Sequence, residues 1–374
     1  MLVVGTGLIG TSIGLALSRA GVTVLVHDED PEALTTALRR GAGLPWGDEG
    51  RYQTVDHVVL AVPPAAVAPA LKTWQRLALD TTFSDVASVK SEPLQDAEDL
   101  GCDMATWVGG HPFAGRERGG PAAADAELFV GRPWALCPSP RTGEEALGRA
   151  RQVVLACGGR PTVTSPERHD AAAAALSHVP QLVASALAAA SLLVEDTDLR
   201  LVGPGFLDTT RLADSSPLLW AEVVAANAGP VHRCLGEVLR RLEGLHSVLG
   251  TSVLGTGVLG AAREQREDPP DAGGVAAATY QLVAEGNAAR RRLPDKSAEG
   301  GARWERVVAV VEDRPGELAR LLLAAATAGV NVEDVRVEHT PDAGLADLDV
   351  VAGAAGPLVQ VLRSQGWRCH LDPG

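Results

Sequence analysis

The sequence predicts an α/β protein in three parts: a doubly wound parallel sheet over residues 1–165, an all-helical domain over 166–292 and a βαββαβ domain over 303–374. Three observations predict it. Short β-branched runs alternate with helical patterns through the first 165 residues. Strand signals then give way to long Ala/Leu-rich segments. After a polar stretch from Arg290 to Arg303, strand, helix and strand patterns resume.

The first region reads as strands at Leu2 to Val4, Thr23 to His27, His57 to Val62, Thr82 to Val86, Thr106 to Gly109, Trp134 to Cys137 and Thr162 to Thr164. Apolar residues at helical spacing predict helices such as Leu8 to Arg19, Pro31 to Arg40 and Gly143 to Cys157 between them. In the second region, Ala171 to Val194 carries no Asp, Glu, Lys or Arg, long enough for a membrane span. His178, Pro180, Gln181 and several serines interrupt it, so a helix buried in a helical domain is expected. The region is too rich in alanine and leucine to be covered within one subunit, which predicts a homodimer.

Composition narrows the function classes. Lys plus Arg against Asp plus Glu is 33 against 47, a net charge of −14, whose field repels nucleic acid and anionic membrane surfaces. Neither is an expected partner. Five cysteines without a CxxC pair suit free thiols in a reducing compartment, and the N-terminus lacks a signal peptide's basic flank and cleavage site. A cytoplasmic location is the expectation, and no metal site is expected.

Gly5-Thr6-Gly7-Leu8-Ile9-Gly10 follows a strand and opens a helix, the context that a dinucleotide fingerprint requires. Gly5 permits the tight turn, Gly7 admits the pyrophosphate, and Gly10 allows close helix packing. Leu8 and Ile9 offer backbone amides at the helix N-terminus. Asp28, at the end of the second strand, supplies a carboxylate for the ribose. Glu29, Asp30 and Glu32 add negative charge, and no arginine precedes Arg39, so NAD is favoured over NADP. Val62, closing the third strand, and Pro63 after it complete the expected cofactor set of a Rossmann-type domain. A second GxGxxG, Gly255 to Gly260, has no strand before it and is given no cofactor role. Gly10-Thr11-Ser12-Ile13-Gly14 spells a nucleophile elbow, but Ser12 falls inside the helix rather than on the turn.

SDVASVK (residues 84–90) follows the fourth strand and GHPFAG (110–115) the fifth, at the carboxyl ends where open sheets bind ligands. His111, between Gly and Pro, is expected on a rigid turn beside the nicotinamide, as the base that takes a hydroxyl proton while hydride departs. Ser88 is positioned to orient it by a hydrogen bond. Without context, His111 would read as a packing or surface residue.

SDVASVK, HPFAGRE, ERHDAAAAALSHVPQ and FLDTTRLADSSPLLW, in this order after GxGxxG, resemble the prephenate and arogenate dehydrogenases of tyrosine biosynthesis over essentially the whole chain. The resemblance implies oxidative decarboxylation, with hydride leaving C4 of a cyclohexadiene for NAD⁺ and the ring carboxylate leaving as CO₂. It implies that His111 is catalytic and Ser88 supports it. It also implies that Arg211 clamps the ring carboxylate with a planar, permanently charged fork. Glu117 and Asp208 match acidic positions that pair with Arg211 or gate access. His178 and Trp220 match pocket residues, and Gln181 stands where many members carry histidine, a position that bears on prephenate against arogenate. His169 and His178 read as packing or cap residues of their helix. Nine positions put their imidazoles on different faces, which argues against a shared metal. The C-terminal region resembles an ACT domain, in which Gly316, at the turn opening the helix, and Asn331 would form a regulatory site with tyrosine as effector.

Overall fold

The computed structural model describes residues 1–47, 55–77, 81–116, 119–254, 274–293, 304–339 and 344–372. They divide into two compact units, Met1–Arg240 and Arg241–Gly374.

The first unit is built on an eight-stranded sheet. Its strands are β1 (Leu2–Val4), β2 (Leu25–His27), β3 (Leu44–Pro45), β4 (His57–Leu60), β5 (Thr82–Asp85), β6 (Trp107–Pro112), β7 (Pro133–Cys137) and β8 (Arg160–Val163), in the order β3-β2-β1-β4-β5-β6-β7-β8. The helices between them are α1 (Leu8–Arg19), α2 (Pro31–Arg39), α3 (Pro64–Arg76), α4 (Ser91–Asp99) and α5 (Glu144–Ala156). Strands β1, β2 and β4 carry near-continuous buried runs, as a sheet covered on both faces requires, while the short edge strand β3 is exposed. One cluster around Val3, Ile13, Val26, Val59, Phe129 and Leu136 fills one side, and a second around Leu2, Leu25, Leu60, Leu71, Phe83 and Trp107 fills the other.

The sheet is not wholly parallel, as the alternation of strands and helices suggested. β7 runs antiparallel to β6, pairing Gly109 with Cys137 and His111 with Ala135. No helix joins them: the described residues between β6 and β7 hold only a short 3₁₀ turn, Pro121–Ala123. A right-handed helical crossover is what makes neighbouring strands parallel. His111 therefore lies within a strand rather than on a turn after one.

A buried histidine sits in the same sheet. His57 is 1 % exposed, with Nδ1 2.8 Å from Thr82 Oγ1 and Nε2 2.9 Å from Ser84 Oγ. Burial, first of all, pushes its pKa down to about 3. Below about pH 6.5 the unfolded chain takes a proton that the folded chain refuses, so stability is present above that pH and lost as pH falls. From pH 7 to pH 5 the loss is about 2 kcal/mol, at about 1.4 kcal/mol per pH unit below 6.5. Urea denaturation at the two pH values should show wild type losing that much more stability than His57→Gln, which cannot titrate.

The helical part follows from α6 (Pro166–Ala173) through a single π turn, Ala174–His178, into α7 (Val179–Ala190). α8 (Pro204–Thr210), α9 (Pro217–Ala226) and α10 (Ala228–Leu254) complete it. Pro180, which has no N–H to give the preceding turn, accounts for the π register. The apolar stretch expected to be buried is largely exposed: over Pro166–Leu193 only 22 % of the most apolar window is covered. Leu192, Leu193, Leu201 and Leu218 are 86, 90, 84 and 72 % exposed. The physical reason is the small local core, in which Ala174, Val179 and Val231 are the fully buried members.

The second unit holds α11 (Val275–Arg290), then β9 (Trp304–Val311), α12 (Glu317–Thr327), β10 (Val332–His339), β11 (Gly344–Val351), α13 (Ala355–Ser364) and β12 (Cys369–Asp372). The antiparallel sheet has the order β10-β11-β9-β12, a βαββαβ arrangement. Alternating burial along β9 and β11 buries Val307, Ala309, Leu348 and Val350 against α12 and α13.

Candidate active site

Because β1, β4, β5 and β6 are parallel, their carboxyl ends share one edge. The glycine fingerprint forms the first part of that edge. Gly5 has φ +94°, and a Cβ there would lie 2.2 Å from the Ala61 carbonyl oxygen. At Gly10 a Cβ would lie 1.9 Å from the Gly5 oxygen, so neither position accepts any other residue. Gly7 differs: a Cβ there would enter open space, so the bare backbone faces outward. Gly7 also caps α1 without a side chain, and no acidic residue follows in the first turn containing Leu8 and Ile9. That is the cradle a pyrophosphate needs at a helix N-terminus.

Asp28 is tied to the fingerprint. Its Oδ2 accepts from the Thr6 amide and, at 2.7 Å, from Thr6 Oγ1, while Oδ1 accepts from the Asp30 amide at 2.9 Å. Three of about four acceptor positions on the carboxylate are used, which leaves one for a ribose hydroxyl. Val62 packs beside Gly5, and exposed Pro63 opens α3. These residues fit a dinucleotide. Ser12 does not act as an elbow nucleophile: it is buried inside α1, donating to the Leu8 carbonyl at 2.7 Å and accepting from the Asp125 amide at 3.0 Å.

The second part surrounds His111. Its Nδ1 lies 2.8 Å from His169 Nε2, and His169 Nδ1 lies 2.8 Å from Asp170 Oδ1. The ring also packs on Phe113, with centroids 4.5 Å apart. The Asp170 carboxylate additionally accepts the amides of Lys90 and Ser91, each at 2.8 Å, which fastens α6 to the loop after β5. No hydrogen bond joins Ser88 to His111, contrary to the sequence expectation. The Nδ1 that a serine would have engaged is taken by His169, and half-buried Ser88 lies on the adjoining loop.

Behind His111 lies a buried ion pair. Lys90, 2 % exposed, pairs with Asp85 and donates to the Gly110 carbonyl at 2.6 Å. A Cβ at Gly110 would sit 2.5 Å from the Asp85 carbonyl oxygen, and one at Gly109 would sit 3.2 Å from the Lys90 side chain. The two glycines before His111 are thus the space in which the pair fits. Burial, then His169, Lys90 and His178, hold the His111 pKa well below the usual histidine range, against an opposing effect of Asp170. The imidazole is neutral at neutral pH, as a base must be.

From Asp170 the network continues. Asn227 Nδ2, in a side chain 2 % exposed, donates to the Asp170 carbonyl at 2.9 Å and lies 3.1 Å from His178 Nδ1. His178 meets Trp220 edge-on, with centroids 5.9 Å apart. His169 and His178 are joined through this network, His169 by the Asp170 side chain and His178 by Asn227. Gln181, 5 % exposed, donates to Ser215 Oγ at 2.7 Å and Ser185 Oγ at 3.3 Å. Ser215 stands four residues after Arg211, so that bond ties α7 to the segment bearing Arg211. Arg211 and Asp208 are exposed and form no ion pair with each other or with another described residue. Glu117 lies outside the described residues, as does the second fingerprint at 255–260.

Sequence reasoning missed Asp85, Lys90, Asp170 and Asn227, and took His169 for a packing residue. A lysine closing SDVASVK and an acid directly after His169 were visible signals. Asn227 gave none.

Comparison with known proteins supplies the family. Residues 13–163 match the nucleotide-binding domain of prephenate dehydrogenase, and residues 165–252 match its dimerization domain. "Probable prephenate dehydrogenase NovF" of Streptomyces niveus is 37 % identical over 372 residues, covering 98 % of each chain. The prephenate dehydrogenase of Bacillus subtilis is 27 % identical, over 66 % of this chain and 69 % of that protein. Among solved structures, Aquifex aeolicus prephenate dehydrogenase in complex with hydroxyphenyl propionate and NAD⁺ is 29 % identical with a TM-score of 0.60, covering 68 % of this chain and 91 % of that one. Synechocystis arogenate dehydrogenase is 26 % identical with a TM-score of 0.61, covering 78 % and 98 %. With both of its N-terminal regions matched and one relative alike along nearly its whole length, this chain belongs to the prephenate dehydrogenase family of NAD-dependent oxidoreductases.

Proposed function

We propose that the chain oxidatively decarboxylates prephenate to 4-hydroxyphenylpyruvate as a homodimer. The observation that carries this reading is His111: a neutral, half-buried imidazole at the carboxyl edge of the sheet, on the same edge as the glycine cradle. NAD⁺ supplies the acceptor for the hydride leaving ring C4. Gly5, Gly7, Leu8, Ile9, Gly10 and Asp28 would hold it, with Val62 and Pro63 alongside. His111 Nε2 takes the C4 hydroxyl proton as hydride leaves. The bond from C1 to the carboxylate then breaks, its electron pair enters the ring, CO₂ departs, and His111 returns the proton to the phenolate oxygen. Protons and charge balance without any further reactant.

In this reading Arg211 holds the ring carboxylate, with Trp220, His178 and Gln181 lining the remainder and Asp208 near the entrance. The exposed leucines and the matched dimerization domain support the homodimer. Prephenate rather than arogenate is supported by the name of the relative that spans both chains. The five free cysteines, four of them buried, support a reducing compartment such as the cytoplasm. For the C-terminal unit we propose a tyrosine site at Gly316. With φ +92° and open space where its Cβ would be, that turn leaves backbone amides approachable, and Asn331 lies beside β10 with its amide donated to Glu333.

The test is NADH formation with NAD⁺ and either prephenate or arogenate, with and without tyrosine. A kcat/KM at least tenfold higher for prephenate is expected. The reverse preference makes the chain an arogenate dehydrogenase, and turnover of neither removes the proposal.

A further inference from the structure

We infer that His169 and Asp170 are positioning residues that fix the tautomer of His111, so that its Nε2, and not its Nδ1, carries the lone pair. The inference rests on the reading of His111 as the base. It follows from donors and acceptors taken in turn. A carboxylate only accepts, so the His169 nitrogen 2.8 Å from Asp170 Oδ1 must carry hydrogen. With a single proton on its ring, His169 carries it at Nδ1 and is bare at Nε2. That bare nitrogen lies 2.8 Å from His111 Nδ1, so His111 must donate through Nδ1 and keep Nε2 free. One buried acid thus sets the protonation pattern of two rings, and the amides of Lys90 and Ser91 fix the acid itself. The logic is that of the acid in a hydrolytic triad, extended by one imidazole.

The arrangement also receives charge. When His111 binds the substrate proton, its Nδ1–H already points at His169, whose own N–H points at Asp170. The groups facing His111 are His169 and Asp170 of α6, His178 of the π turn, and Lys90 with its partner Asp85 from the β5 side. Among these, Asp170 is the one that favours the protonated ring. Its hydrogen bonds from His169, Ser91 and Lys90 outweigh burial and keep its carboxyl below the ordinary range.

In the full-length protein, Asp170→Asn should lower kcat at least 100-fold at pH 7. The Kd for NAD⁺ should stay within threefold of wild type. The acid limb of kcat/KM should move to lower pH, because the group that makes His111 more basic is gone. A role in folding alone would not move that limb. Asp170 also holds two backbone amides, so a second pair of variants guards the test. His169→Gln places a carbonyl where Nε2 accepted from His111 and should keep kcat within tenfold of wild type. His169→Leu accepts nothing and should lose at least 100-fold. Equal losses in the Gln and Leu variants, a Leu variant within threefold of wild type, or an unmoved acid limb in Asp170→Asn would each overturn the inference. Wild-type turnover in His111→Asn would instead overturn the reading of the base itself.

Discussion

Replacing His111 with asparagine lowers kcat by about 10²- to 10⁴-fold, the range expected when a positioned general base is removed. The nucleotide cradle is built from β1, α1 and the end of β4, none of which uses His111, so NAD⁺ binding is unchanged. Isothermal titration with NAD⁺ beside steady-state turnover checks both halves of the expectation. The pH dependence carries an independent sign. His111 is held well below the usual histidine range, chiefly by burial and then by His169 and Lys90, so it remains a free base into mildly acid solution. The acid limb of kcat/KM therefore falls below pH 6.5 in wild type and disappears with the histidine. A variant that turns over at the wild-type rate, or a limb above 6.5, removes His111 from the chemistry.

The fold was legible in the sequence because the pattern that specifies it is local. α1 begins at Leu8 and ends at Arg19, as its spacing predicts, and the glycines before it occupy positions where a Cβ would collide with backbone. The antiparallel β7 was not legible, since strand direction depends on what joins two strands and no periodicity encodes it. The site divides in the same way. His111 stood out by its neighbours Gly110 and Pro112. Its hydrogen-bond partner His169 lies 58 residues away, and pairing at that distance is set by tertiary packing. The nine-residue spacing of His169 and His178 assumed about 100° per residue, and the π turn at 174–178 departs from that count. Lys90 was missed because an ammonium is expected in water unless a carboxylate and a carbonyl are waiting for it, as Asp85 and Gly110 are.

Arg211→Ala is expected to raise the KM for prephenate and lower kcat/KM by about 2 to 4 kcal/mol, or roughly 30- to 1,000-fold, the loss of a charge-assisted, two-pronged hold on a carboxylate. Folding should be untouched, because Arg211 is exposed and forms no ion pair with another described residue; the melting temperature checks this. The size of the effect discriminates between two environments. An ion pair left in water is worth about 0 to 1 kcal/mol, so the larger figure requires that water leave the guanidinium when substrate binds. Leu207, Leu212 and Leu218, 56, 39 and 72 % exposed in the single chain, are the apolar surface whose covering in a homodimer would exclude that water. Arg211→Lys keeps the charge but loses the fork, and should fall between wild type and Ala. Steady-state kinetics at saturating NAD⁺ decide the matter. An unchanged KM in the Ala variant refutes the clamp, and a KM change worth less than about 1 kcal/mol means that the guanidinium stays wet and contributes little more than a surface charge.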